Sequence, residues 1–463
     1  MFPVRIVLFF LLLFSFCQTH AKGGKITVLN IHLSGNNITK SFVFYQEITL
    51  KAGNSYTIEE FDKELIISRN NLLNSSLFNF VKITPLQVDE LNYDIIIEVQ
   101  ERWYMWPLPI ISTADPNANL WWETKDPSRL NYGVLLSHNN LRGVRENLSA
   151  LVQFGYSNQF ELAYRIPYLI SRKNIGAGIA AGYLQNYEIV TGTENNERIF
   201  FFSKEGNSRQ IMYSSAYFEK RIIPQHIHKF GGEITQITIS DSAFSASENY
   251  LGNNLKSIRF ASIIYIFRFD KRDNIHYPLQ GFFTKIQLEQ HGLGVFSNDN
   301  LNVQNISAEV KCFHPFNDKF YWGGMIKAKQ TSYSNLPYFF QRGLGYEDFV
   351  SGYEYYILDG QAFGLGKTNF KYRLIAAKQR NLPLIENRKF KRYFYAVYIN
   401  TFADAGFVKN RATQNENNLT NQFLLGSGIG LDFVTYYDKV FRFEFAVNRK
   451  REPGFYLHFT QPI

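Results

Sequence analysis

The 463-residue chain is short of several things that would otherwise define it. It has two cysteines, Cys17 and Cys312, too few for a disulfide scaffold or a cysteine-rich zinc protein. Beyond the first twenty residues no apolar run approaches the ~20 residues of a spanning helix, which excludes a helical membrane protein. Charged residues are only 19%, and the net charge of +9 is scattered rather than clustered, so no nucleic-acid partner is expected. No Gly-x-Ser-x-Gly elbow and no His-Glu-x-x-His helix occurs, so the chain is not expected to be an enzyme. No cofactor and no metal site is expected either. What the chain has is aromatic side chains: 43 Phe, 29 Tyr and 5 Trp within 45% hydrophobic residues. That mixture is too apolar and too regular for disorder.

The N-terminus has the grammar of an export leader. Arg5 supplies a positive charge, Ile6 to Phe16 an apolar stretch, and Thr19-His20-Ala21 small residues at the cleavage positions, so residues 1–21 are expected to be a signal peptide. A lipid anchor on Cys17 is disfavoured by the bulk of Phe16 before it. Cys312 is then expected to pack as a small apolar residue.

Residues 22–102 mix helix and strand signals. Lys25–Leu33 reads as a strand, and Gly35-Asn36-Asn37 as a turn. Thr39 can cap a helix through Val43, Phe44, Glu47 and Ile48. Thr57-Ile58-Glu59-Glu60 is a capping box opening a second helix, with Phe61, Leu65, Ile66 and Leu72 on one face. Two strands follow, from Leu77 and over Asp94–Glu101, which gives the order β-α-α-β-β. This module resembles a POTRA domain, the periplasmic repeat of outer-membrane insertases and translocases. The matching runs are Gly35-Asn36-Asn37-Ile38-Thr39, Leu77-Phe78-Asn79-Phe80-Val81 and Glu98-Val99-Gln100-Glu101-Arg102. One copy is found.

From Trp103 to Ile463 helical periodicity disappears. Segments of period-two alternation are separated by Asn, Gly, Asp and Pro clusters. In Phe441–Val447 the odd positions are apolar, against Arg442 and Glu444. In Tyr393–Asp404 apolar residues alternate with Asn400 and Asp404. Sixteen strands are predicted, starting near Leu130, Asn147, Gln159, Gly176, Asn186, Ser208, Lys229, Asn254, Gly281, Asn302, Lys319, Gln361, Lys391, Gln422, Lys439 and Pro453. An even number, with ~9–11 residues needed per crossing, fits an antiparallel transmembrane β-barrel over residues 103–463. A barrel of that size has an aqueous lumen that tolerates inward polar side chains.

The longest connection, Thr331 to Gly360, is rich in glycine and aromatics, and loops of that length are commonly functional. Within it, Val350-Ser351-Gly352-Tyr353-Glu354 resembles the "VRGY" tip of the sixth loop of BamA/TamA-like barrels. In that family the tip folds into the lumen and its Arg pairs with the Asp of an "FxDxG" strand, here Phe402-Ala403-Asp404-Ala405-Gly406. Asp270-Lys271-Arg272-Asp273 with Pro278 and Gly281, Gly428–Asp432, Gly454–Phe459, and Asn119-Leu120-Trp121-Trp122 with Asn139–Gly143 also resemble that family. One residue departs from it: position 351 is Ser, so the family's ion pair cannot form there. Either Arg342 or Arg373, or a water held by Ser351, is expected to satisfy Asp404 instead, or the loop is simply less firmly anchored.

The resemblance implies a non-enzymatic factor of the bacterial outer membrane with its POTRA domain in the periplasm. Such a factor assembles, inserts or translocates other outer-membrane proteins. Its partners would be unfolded client strands, outer-membrane lipid and periplasmic or lipoprotein accessories. Alternatives are a passive channel or structural barrel, and an exporter of the two-partner secretion type. Three lookalikes are set aside. Gly364-Leu365-Gly366-Lys367-Thr368 lacks the first glycine of a phosphate loop and precedes no helix. His226 and His228 lack a third ligand for a metal. Lys271, Arg272 and Asp273 are expected to form a charged rim.

Overall fold

The computed structural model describes residues 25–113, 125–203, 206–296, 301–332, 336–381, 383, 388–411, 417–435, 437 and 439–459. The expected leader and the first half of the expected opening hairpin, residues 119–122, lie outside them.

The N-terminal module runs β1 (Lys25–Ser34), α1 (Ser41–Glu47), β2 (Ser55–Thr57), α2 (Ile58–Asn74), β3 (Phe78–Gln87) and β4 (Asn92–Glu101). This is the expected order with one short extra strand, β2. The sheet order is β2-β1-β4-β3, with β1 and β4 parallel. Both helices cover it through Val43, Phe44, Phe61 and Leu72. The capping box forms as read: the Glu60 N–H donates to Thr57 Oγ1 at 3.2 Å, and the Thr57 N–H to Glu60 Oε2 at 2.9 Å. Two details differ. Ile66 is exposed, because five residues of helix turn it about 140° from Phe61; Ser68 takes the inner position instead. Thr39 caps nothing, since α1 begins two residues later and its N-cap, Lys40, makes no side-chain cap bond. The Thr39 hydroxyl bonds instead with the Tyr104 hydroxyl and accepts from Asn140 of the barrel.

The rest is a sixteen-stranded antiparallel sheet: β5 (Met105–Thr113), β6 (Leu130–His138), β7 (Asn147–Gly155), β8 (Ser157–Ile170), β9 (Ile175–Asn186), β12 (Arg209–Ile223), β13 (His226–Ile239), β14 (Ser257–Asp270), β15 (Gly281–His291), β16 (Val303–Pro315), β17 (Phe320–Thr331), β18 (Ala362–Asn381), β19 (Arg392–Lys409), β20 (Phe423–Thr435), β21 (Lys439–Asn448) and β22 (Pro453–His458). The predicted number is right because two errors offset. The strand expected near Asn186 is a separate hairpin, β10 (Glu188–Glu194) with β11 (Glu197–Phe202), turned by Asn195 and Asn196 at positive φ. The first strand, β5, lies ahead of the first predicted start at Leu130 and carries Pro107 and Pro109. Proline lacks a ladder donor and is confined to edge positions, and β5 pairs only with β6. Strand order otherwise follows the chain from β5 to β22, with β12 beside β9. Among the described residues no ladder joins β22 to β5.

Burial is inverted relative to a soluble protein. Phe218, Phe230, Ile326, Phe443 and Phe455 are exposed, whereas Asn369, Lys371, Asn400, Asp404, Asp432 and Arg442 are buried. A period-two strand with apolar side chains outward and polar ones inward is the pattern of a membrane barrel. Cys312 corrects the expectation made for it: it is exposed, on the outward face of β16 beside Val310 and Ile306, and not in a core. His226 and His228 pack against each other and against Phe267, tilted or edge-on, on the same outward side.

Candidate functional site

The module sits against one end of the barrel. The connection after β17 enters from the other end and descends into the lumen. Its Leu344 pairs with Leu358 as an isolated bridge, closing the loop on itself. Val350, Tyr353 and Leu358 are buried against Phe363 and Leu365 of β18 and Val408 of β19, an apolar footing inside a polar lumen.

The tip is clasped by wall residues on several strands. Ser351 donates both its backbone N–H (3.2 Å) and its hydroxyl (2.6 Å) to Asp404 Oδ2. Lys367 Nζ lies 3.3 Å from the same oxygen. Lys367 is directly opposite Asp404 in the β18–β19 register, so the pairing of strands itself delivers the cation. On β21, Asn448 Nδ2 donates to the Gly352 carbonyl at 2.9 Å. Lys327 of β17 binds Asp348 at 2.7 Å. Two glycines permit the close fit. Gly352 has φ +84°, and a Cβ built on Gly426 of β20 would lie 1.8 Å from the Ser351 carbonyl oxygen. Such a contact excludes any side chain at 426 unless the loop lifts.

The expected substitute cations are elsewhere, and Ser351 bonds Asp404 Oδ2 directly; Asp404 Oδ1 is buried with no hydrogen-bond partner among the described residues. Arg342 lies over the Phe339 and Tyr346 rings at the base of the loop. Arg373 is six residues beyond Lys367 on β18, about 20 Å along a strand, where its N–H donates to the Lys319 carbonyl near the module end. Lys367 belongs to the Gly364–Thr368 run that resembles a phosphate loop. Phe402 packs with Ala446 and Tyr456, and Gly406 lies beneath Val350. Glu354, the last residue of the tip motif, is buried, and neither carboxylate oxygen has a hydrogen-bond partner among the described residues. Burial pushes its carboxyl up to about 7.

A second buried cluster joins the module to the barrel, and nothing in the sequence pattern pointed to it. Glu47 ends α1 with its side chain 3% exposed. It receives Arg221 in fork geometry (2.8 and 2.9 Å), the Tyr168 hydroxyl (2.6 Å) and Arg145. Burial alone would raise its carboxyl. The Arg221 and Arg145 guanidiniums and the bonds from Arg221 and Tyr168 prevail and hold it at about 2. Gln225 donates to Asn71 at 2.8 Å, and the Ile275 N–H to Asn74 at 3.1 Å. A charged cavity of about 880 Å³ lies between module and barrel, lined by Glu47, Arg145, Arg165, Glu219, Arg221 and Arg268 among others. The segment between β14 and β15 is also more than a charged rim. Arg272 pairs with Asp270, Asp273 accepts the N–H groups of Asn274, Leu279 and Gln280, and Tyr277 reaches in to donate to Asp432 at 2.8 Å. Asp432 is in turn held by Arg442 at 2.6 and 2.9 Å.

A family model described as the Omp85 superfamily domain matches residues 140–460. The chain belongs to the Omp85 superfamily. Solved structures of similar fold are BamA from Haemophilus ducreyi lacking POTRA domains 1–3 (14% identity, 95% of this chain and 84% of that one, TM-score 0.50), CdiB from Acinetobacter baumannii (14%, 94% and 74%, 0.51) and CdiB from Escherichia coli (11%, 93% and 75%, 0.55). No curated protein sequence matches the chain significantly. Omp85 barrels are outer-membrane proteins that serve assembly or transport without being enzymes. In the Omp85 frame the clasped loop and the sheet ends β5 and β22 are the features to explain.

Proposed function

We propose that this protein assembles, inserts or translocates other outer-membrane proteins, and that residues 22–102 are a POTRA domain facing the periplasm. The observation that carries the reading is that, among the described residues, β22 and β5 stand at the two ends of the sheet order with no ladder between them. β22 is six residues long and pairs with β21, while β5 pairs with β6. A seam between two such strands opens backbone donors and acceptors toward lipid, where an incoming strand satisfies them at no cost in unpaired groups. The module offers a second template. Its β3 is an edge strand, suited to adding an extended client segment by main-chain bonds. The loop tip, residues 350–354, and Asp404, supported by Phe402 and Gly406, would hold the seam-side strands in register while clients exchange.

The test is insertion of a model barrel into liposomes holding the refolded protein. Removing residues 25–102 while the barrel stays folded should abolish insertion; undiminished insertion would refute the docking role. A passive channel is the competing reading. With the loop tip seated in the lumen, planar-bilayer conductance should be small, and a large steady conductance without insertion activity would favour the channel.

A further inference from the structure

We propose that Glu354, Glu444 and His458 form a binding site for one divalent transition-metal ion of the zinc type, which staples the lumenal loop to the last strand. One ligand atom from each residue lies within 4.8 Å of the other two. The residues come from three elements: the loop tip, β21 and β22. A cation at the centre of a triangle that size is at most about 2.8 Å from each corner, so side-chain shifts below an ångström reach the ~2.0–2.2 Å of zinc–oxygen and zinc–nitrogen bonds.

Acidic residues near one another are common without a metal, and a second observation separates this cluster from that background. Glu354 is only 8% exposed, and neither of its oxygens has a hydrogen bond of good geometry among the described residues, the Tyr456 hydroxyl being the neighbouring polar group. A buried carboxylate without a partner is strongly disfavoured, and a cation removes that penalty. His458 is already oriented. Its Nε2 faces Glu444 Oε2 at 3.2 Å, and Phe349 stacks on its ring at 5.6 Å, 17° from parallel. Arg442 lies 3.2 Å from the other Glu444 oxygen, Oε1, which leaves Oε2 to the site. Two carboxylates and an imidazole, with no thiol, favour zinc over copper(I). Glu444 and His458 also line a cavity of about 190 Å³ beside Asp404, which gives an ion an entry path and a water as fourth ligand.

The test reads metal binding and heat stability, not insertion, so it stands whether or not the assembly reading holds. The full chain, refolded in detergent and stripped with chelator, is titrated with zinc chloride by calorimetry. One ion per chain is expected, with affinity at least tenfold weaker in Glu354→Gln and in His458→Gln and unchanged in a His226→Ala/His228→Ala control. Zinc should raise the unfolding temperature of the parent and the control but not of the two site variants. Absence of a zinc site, or one lost only in the control, would overturn the proposal. X-ray absorption on the zinc-loaded parent covers the case in which a variant fails to fold: one imidazole with oxygen ligands is expected, and two or more imidazoles would contradict it.

Discussion

Replacing Glu47 by Gln should loosen the N-terminal module from the barrel. The change keeps shape and removes the charge that Arg221 and Arg145 share. A carboxyl held at about 2 instead of 4.5 is worth about 3 kcal/mol at neutral pH. That agrees with the ~3–5 kcal/mol lost when one member of a buried ion pair is removed. The docking constant should therefore fall about 100-fold, while Asn71–Gln225 and Asn74–Ile275 remain. The same contribution has a defined pH window. Because the docked carboxyl is depressed, its stabilisation is fully present above 4.5 and is lost as pH falls from there toward 2. Spin labels at Glu59 on α2 and Lys173 in the β8–β9 turn, in a Cys312→Ser background, read the geometry directly. The parent should give one narrow distance at pH 7, broadening below pH 4, and Glu47→Gln should be broad at pH 7. A distribution as narrow in Glu47→Gln as in the parent would refute the reasoning.

Three changes at the loop clasp have separate signatures in heat unfolding in detergent. Asp404→Ala leaves Lys367 and Ser351 facing a small wet cavity and should cost about 2 kcal/mol, less than a dry pair would; an unchanged midpoint would show that the clasp is not stabilising. Gly426→Val places side-chain atoms where the Ser351 carbonyl sits and should cost about 1–3 kcal/mol through overpacking, with no loss expected if the tip is not seated there. Ser351→Arg should bring no gain, since the Ser351 hydroxyl and Lys367 already engage Asp404; a clear rise in unfolding temperature would mean that Asp404 lacks a partner.

What was readable in the sequence depended on whether the signal was local. Alternation in Phe441–Val447 gave the inner and outer faces because side-chain direction in a strand has period two. The capping box of α2 was readable for the same reason: its partners are three residues apart. Lys367 was not, because its relation to Asp404 is a register across strands 37 positions apart in sequence. The lysine also sat inside a run that looked like something else. The Glu47 cluster was equally hidden, since Arg145, Tyr168 and Arg221 belong to three different connections or strand ends. β5 carries Pro107 and Pro109, residues that a strand accepts at an edge, and its place at the edge is set by the sheet rather than by the local sequence.

The account depends most on the sheet being a barrel with lipid outside and water inside. Adjacent positions on β12 test this: Ser214 and Ala216 face outward, and Ser215 faces the lumen. Each is changed to Cys in the Cys312→Ser background, labelled with bimane and placed in liposomes. Brominated lipid should quench 214 and 216 but not 215, and aqueous iodide should quench 215 alone. Equal access of iodide to all three positions would contradict the account.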